Sequence, residues 1–172
     1  MTNEFYDLAV PQFVQILRAQ SRLLAKAETH CAENGLQEAD WLAARLYPDM
    51  QPLAFQVRQL LNHSLGALAR LRGLDYPRRE NPESFPICRT LIDEATTEIR
   101  AIRPAELDGA ADREVIFETP SGPLLFTGGA YLMSFAFPNF YFHASIAYAL
   151  LRSLGLPIGK NDFLGGAGPA TR

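Results

Sequence analysis

Phe135-Ala136-Phe137-Pro138-Asn139-Phe140-Tyr141-Phe142-His143 is the densest aromatic run in this chain. It is preceded by Phe126-Thr127-Gly128-Gly129 and followed further on by Gly159-Lys160-Asn161-Asp162-Phe163-Leu164-Gly165. So many large rings in one helical segment need core on nearly every side, which makes this segment the central, final helix of a small bundle. The helix is expected to begin near Gly129, to kink at Pro138, which removes a backbone donor, and to end at Gly155. Beyond the kink, Asn139, Phe142, His143, Ile146, Ala149, Leu150 and Ser153 share one broad face, and Tyr141, Ser145, Tyr148 and Arg152 share the other.

The helices that pack around it are legible upstream. From Asp7 to about Glu33, apolar residues at Phe13, Ile16, Leu17, Leu24, Ala27 and Cys31 draw one stripe down a long helix that starts near Ala9 or bends at Pro11, and Asn34-Gly35 closes it. A short helix is expected over Gln37–Leu46, ended by Pro48. Asp49 is then placed to cap a second long helix, Gln51–Arg72, stopped by Gly73. At about 100° per residue, Ser64 falls in the centre of its apolar stripe and His63 to one side, as a partly exposed flank residue. Pro82 and Ser84 mark the third helix, whose Phe85, Cys88, Ile92, Ala95, Ile99 and Ile102 alternate in threes and fours until Pro104. Glu114–Glu118 and Pro123–Thr127 then flank Thr119-Pro120-Ser121-Gly122 and predict a β-hairpin between the third and fourth helices. Two strands alone are barely stable in water, so the hairpin must lean on the bundle or on a partner chain. The expected class is all-α, a four-helix bundle with a short helix after the first and a small hairpin insert. It forms one domain over residues 1–165, with a flexible tail at 166–172.

With 172 residues, 48% of them hydrophobic and 20% charged, the chain can bury a single core without a staple. The net charge is −3 with scattered Lys and Arg, which argues against nucleic acid as a partner. Met1-Thr2-Asn3-Glu4 carries acid in place of a basic leader, and no apolar run approaches the ~20 residues that span a bilayer. No membrane association and a cytoplasmic location are therefore expected. Cys31 and Cys88 stand far apart and read as reduced, packed thiols.

Candidate chemistry centres on Asn139 and His143, one turn apart on an apolar face. Buried polar groups must be hydrogen-bonded, so each needs a partner in the core, a water or a bound ligand. One reading has His143 neutral and satisfied by a core hydroxyl such as Ser64 or Tyr131. A second has Phe135, Asn139, Phe142, His143 and Ser64 lining a pocket for a small ligand. A third makes His143 and His63 ligands of a divalent metal such as zinc or nickel, since bundles build such sites from facing helices. The histidines are only His30, His63 and His143, His30 lies near the end of the first helix, and Ala147 follows His143 by one turn, so two imidazoles are the most this pattern offers. Gly155-Leu156-Pro157-Ile158-Gly159-Lys160-Asn161 is not a phosphate loop: it is one residue short, has Asn for Ser or Thr, and follows a helix.

Arg45-Leu46, Pro48-Asp49-Met50, Pro52-Leu53, Pro138-Asn139-Phe140, Phe142-His143, Ala147-Tyr148-Ala149, Leu151-Arg152, Gly159-Lys160 and Asp162-Phe163-Leu164-Gly165 together resemble an uncharacterised bacterial and fungal domain-of-unknown-function family. That family is similar in fold to the DinB/YfiT-like four-helix bundles. The resemblance covers nearly the whole chain and implies an up-down-down-up bundle with a long crossover, commonly a homodimer. Many members of the wider superfamily bind a divalent metal through three histidines, and some transfer thiols. Carried over, His143 matches a late ligand and His63 the early one, while the remaining histidine has no counterpart here. The functions in view are a dimeric small-ligand-binding or interaction protein without a complete metal site, or a metal-dependent hydrolase or thiol transferase using His143 and His63.

Overall fold

The computed structural model describes residues 4–166, and they are mostly helical with one two-stranded antiparallel sheet. The predicted tail therefore lies, but for Gly166, outside the described residues. Helix α1 (Glu4–Asn34) runs unbroken through Pro11. Its buried stripe of Phe13, Ile16, Leu17, Leu24, Ala27 and Cys31 is the expected one, extended by Ala9, Val10 and Leu23. Gly35, at φ +64°, turns the chain out of it while Leu36 N donates to the Cys31 carbonyl. The short helix α2 covers Glu38–Ala43 and buries Trp41 and Leu42.

The second long helix differs from expectation. It is two helices, α3 (Leu53–Asn62) and α4 (Leu65–Leu71), broken at His63 and Ser64. Ser64 leaves helical geometry at φ −118°, ψ −86°, and its hydroxyl donates to the Leu60 carbonyl at 2.6 Å. Arg70 closes the break by donating to the Asn62 carbonyl (3.2 Å) and to Asn62 Oδ1 (2.9 Å). Asp49 does not cap α3; Pro52 occupies the position before it and no side chain caps that end.

Helix α5 (Phe85–Ala101) has the predicted start, with the Ser84 hydroxyl accepting from Ile87 N and Pro86 in the first turn. A short 3-10 turn, Pro104–Leu107, follows it. Strands β1 (Glu114–Thr119) and β2 (Gly122–Thr127) pair with Val115 opposite Phe126, Ile116 opposite Leu125 and Phe117 opposite Leu124. Val115 is buried and Phe117 and Phe126 are half-buried, whereas Ile116 and Leu125 point to solvent on the other face. The hairpin does lean on the bundle: Phe117 lies 4.7 Å and Phe126 5.3 Å, ring centre to ring centre, from Phe135.

The aromatic segment is helical from Gly128 to Ser153 and is interrupted, as expected, beside Pro138. A single turn, α6 (Gly128–Ala130), leads into a wider π-helical stretch at Tyr131–Ala136, and α7 (Phe137–Ser153) continues to the predicted end. Pro138 lacks the N–H that would bond back into the preceding turn, and the irregularity lies in that turn, as the π-helical stretch. The inward face of α7 is Phe137, Phe140, His143, Ala144, Ala147, Leu150 and Leu151, rotated from the expected one. In the core, α1 packs along α5 and α3 along α7. A last short helix, α8 (Lys160–Leu164), is tied to α1 by Lys26 with Asp162 (2.6 Å), Gln15 with the Leu164 carbonyl (2.9 Å) and Arg22 with the Gly165 carbonyl (3.0 Å). No described helix is long and apolar enough to cross a membrane.

Candidate functional site

The break between α3 and α4 changes what His63 does. On a continuous helix its side chain would lie at a half-exposed seam, but the structure buries it to 4% exposure. Its ring lies 5.6 Å from that of His143, centre to centre, with the planes 13° apart. Phe117 (5.8 Å) and Phe135 (5.7 Å) flank the same imidazole. His63 Nδ1 is buried with no hydrogen-bond partner.

His143 is satisfied, though not by the hydroxyls expected of it. Its Nδ1 is 2.7 Å from Gln56 Oε1, while Gln56 Nε2 donates to the Gln51 carbonyl at 2.9 Å. The glutamine amide therefore presents its oxygen to the ring, so His143 donates from Nδ1 and keeps its lone pair on Nε2. Gln56 was not singled out in the sequence, yet it lies three residues after Leu53 and four before Leu60, a polar residue on an apolar stripe.

Both imidazoles are held neutral. Burial, then the neighbouring His143 and Arg70, pushes His63 down to about 3. Burial, then Arg58, pushes His143 down to about 4. Removing charged forms from water without an anion nearby is the dominant cause in each.

The other residues expected at the site divide. Phe135 joins it, packed against His63, Phe117 and Tyr131. Asn139 is half-buried and donates from Nδ2 to the Phe135 carbonyl at 2.8 Å, so it supports the π-helical stretch locally. Ser64 is fully buried and bonded to backbone. Phe142 is 55% exposed, with its ring edge-on to His143 at 5.3 Å. His30 is remote, against Trp41.

On the far side of Phe55 and Phe117 from the pair, α3, α4, residues 73–79 and β1 border a cleft of about 1080 Å³, and neither histidine is part of its lining. Two of its wall residues touch the histidines: Phe55 stands edge-on to His143 at 6.0 Å, and Phe117 lies against His63. Residues 73–79 are anchored on α4 through Tyr76, whose ring occupies the space where a Cβ on Gly66 would sit (2.7 Å). Arg70 bridges floor and wall, with its guanidinium over Phe117 (4.9 Å) and Tyr76 (5.7 Å) and a nitrogen 3.4 Å from Tyr131 Oη.

Replacing His143 with alanine is expected to destabilise the fold by ~1–3 kcal/mol, because Gln56 Oε1 loses its donor inside the core. Urea unfolding of the wild type and H143A tests this, and equal midpoints would remove the structural role assigned to the bond.

A divalent ion held by three protein side chains does not fit here. Among the described residues no three His, Cys, Asp or Glu side chains come together, and the Nδ1 of His143 is committed to a glutamine oxygen.

No curated protein matches this chain. Among solved structures, the crystal structure of a DinB family member protein from Shewanella denitrificans is similar to it. That likeness has a TM-score of 0.87 at 28% identity, covering 98% of this chain and 96% of that one. Residues 5–164 match the family described as Domain of unknown function (DUF1993), so the helical core, the hairpin and the paired histidines all fall within the match, and the chain belongs to that DinB-like family.

Proposed function

We propose that this protein binds a small organic ligand at the His63–His143 pair, and does so without a complete protein-held metal site. The observation that carries this reading is the orphaned Nδ1 of His63. A buried nitrogen without a partner costs about 1–3 kcal/mol, and an apolar side chain of similar size would avoid that cost. Local violations of this kind concentrate at functional sites. His143 adds an acceptor at Nε2, and Phe135 and Phe117 supply apolar walls.

His63→Leu follows as the test, since it removes the orphan. Its thermal stability is expected to equal or exceed that of the wild type. In a fragment screen read by imidazole ¹⁵N–¹H NMR, ligands that move both rings of the wild type should no longer bind the variant. A screen in which no fragment perturbs either ring would remove this reading.

The metal-assisted hydrolase or thiol transferase remains as a second reading because the two imidazoles approach within 5.6 Å. Such a site would take two ligands from the protein, short of the usual three. Elemental analysis of untagged protein after zinc, nickel or manganese loading and desalting decides it. One equivalent per chain, lost in both H63A and H143A, would favour it over the ligand-binding reading.

A homodimer, the four-helix up-down-down-up arrangement and a cytoplasmic location belong to the same proposal. The family resemblance supports the first two, and the packing of α1 on α5 and α3 on α7 fits the second. The free, buried Cys31 and Cys88 support the third. Sedimentation equilibrium giving a monomer mass at micromolar concentration would remove the dimer.

A further inference from the structure

Four arginines, Arg58, Arg70, Arg78 and Arg79, line the cleft that Phe55 and Phe117 separate from the histidine pair. Elsewhere in the described residues, arginines find carboxylates: Arg72 and Arg103 pair with Glu106, and Arg89 with Glu28. None of the cleft arginines makes an ion pair among the described residues, in a protein whose acidic side chains outnumber its basic ones. Asp75, Glu114 and Glu118 also border the cleft without closing on a guanidinium, so its lining carries one net positive charge.

Three of the four guanidinium groups lie over aromatic faces, and Arg78 is exposed without one among the described residues. Arg58 lies 4.5 Å above the Phe55 ring, and Arg79 lies 5.7 Å from the Tyr76 ring while its Nε donates to Tyr76 Oη at 3.1 Å. Arg70 is committed to Asn62 and to the rings of Phe117 and Tyr76, which leaves Arg58 and Arg78 as the two whose donors no side chain or carbonyl of the described chain engages. Burial first, and then Arg78, holds Arg58 below the usual guanidinium range, with Glu80 only partly opposing them and forming no ion pair with it. An anion between them would relieve both effects. Phe55 and Phe117, on the way to the histidines, offer apolar surface to the rest of a ligand.

We propose that this cleft binds an aryl or similarly planar apolar monocarboxylate, with the carboxylate held by Arg58 and Arg78 and the apolar body lying against Phe55 and Phe117. A single negative charge matches the single positive excess of the lining, and the planar guanidinium fork matches a carboxylate's two oxygens. The inference deepens the ligand-binding reading and rests on it for the location of the apolar body, but its own determinants are the two arginines.

Benzoate, benzamide and phenyl phosphate, titrated into the full chain and followed by ¹H–¹⁵N NMR, test it. Benzoate should shift resonances around Phe55 and Phe117 and weaken with added salt, while the neutral benzamide should bind about tenfold or more weakly. Arg58→Gln and Arg78→Gln should each weaken benzoate binding by about tenfold or more. Neither arginine holds the fold together by hydrogen bonds within the described chain, so unchanged melting temperatures should accompany the loss. Phenyl phosphate binding more tightly than benzoate would overturn the assignment to a monocarboxylate. Benzoate binding that is equal in wild type, R58Q and R78Q would overturn the arginine site. Benzamide binding that depends on His63 but not on either arginine would leave the ligand-binding reading intact and overturn this one.

Discussion

Gly128→Ala is expected to lower stability by about 3 kcal/mol or more. A Cβ at this position would stand 1.8 Å from the Ala110 carbonyl oxygen and 3.0 Å from Leu71 Cδ2. The obstacle is backbone, so no side-chain rotation relieves it. The carbonyl cannot easily retreat, because Gly128 N donates to the Arg113 carbonyl (2.7 Å) and Gly129 N to the Ala111 carbonyl (2.8 Å), pinning the 110–113 segment to the entrance of α6. Arg113 in turn donates to the Leu71 carbonyl at the end of α4 (2.5 Å). The hairpin, α4 and the aromatic segment meet here, and the meeting point holds Phe117, Phe126 and Phe135 together beside His63. Gly129→Ala is the control: its Cβ would approach the Ala111 carbonyl oxygen only to 3.4 Å, and its effect should stay below about 1 kcal/mol. Urea unfolding gives both values. Equal midpoints for the two variants would mean that the 110–113 segment yields and that the close approach is not a constraint.

Acid should unfold the protein at a pH set largely by the two buried imidazoles. His63 and His143 have folded-state values near 3 and 4, below the ~6.5 of an unfolded histidine. Between those limits the unfolded chain binds more protons than the folded one, so stability rises with pH. The contribution is complete well above pH ~6.5 and is lost as pH falls toward the folded values, by about 1.6 kcal/mol per ring between pH 6.5 and 5. Unfolding free energies at pH 7, 6 and 5 should show this slope, and His63→Leu should reduce it by one proton's share. A variant whose stability tracks pH as the wild type's does would show that His63 is not held neutral in the fold.

Much of the helical plan could be read from apolar spacing alone. The stripe of α1, the periodicity and Ser84 cap of α5 and the turn chemistry of the hairpin are local signals, and the structure carries each of them at nearly the expected residues. Gly35 and Gly155, at φ +64° and +95°, end helices where glycine alone adopts the left-handed region without strain. The site was legible only in part. His143 stood out as a polar residue on an aromatic face and proved to be 8% exposed, but its partner Gln56 was hidden because a glutamine in an apolar stripe has no distinctive pattern of its own. Helical spacing places Phe142 on the inward face and leaves Phe140 off it; in the structure Phe140 is fully buried and Phe142 is not. Within the regular helix α7 the apolar residues surround the axis, so spacing does not choose the inward side; packing against α3 and α1 does, and it turns Phe140, Ala144 and Ala147 in.

The sequence by itself determined where α1 and α5 lie, which of their stripes make the core and where the hairpin turns, because those depend on residues a few positions apart. Tertiary structure alone decided that His63 turns inward. That orientation needs a helix broken at Ser64, and the break holds because Arg70 satisfies the carbonyl it frees while Phe117 and Phe135, from distant segments, enclose the ring. The cleft arises the same way. Arg58 and Arg78 come from separate segments and belong to no motif, and both line the cleft, whose wall at residues 73–79 is anchored where Tyr76 docks on the bare backbone of Gly66.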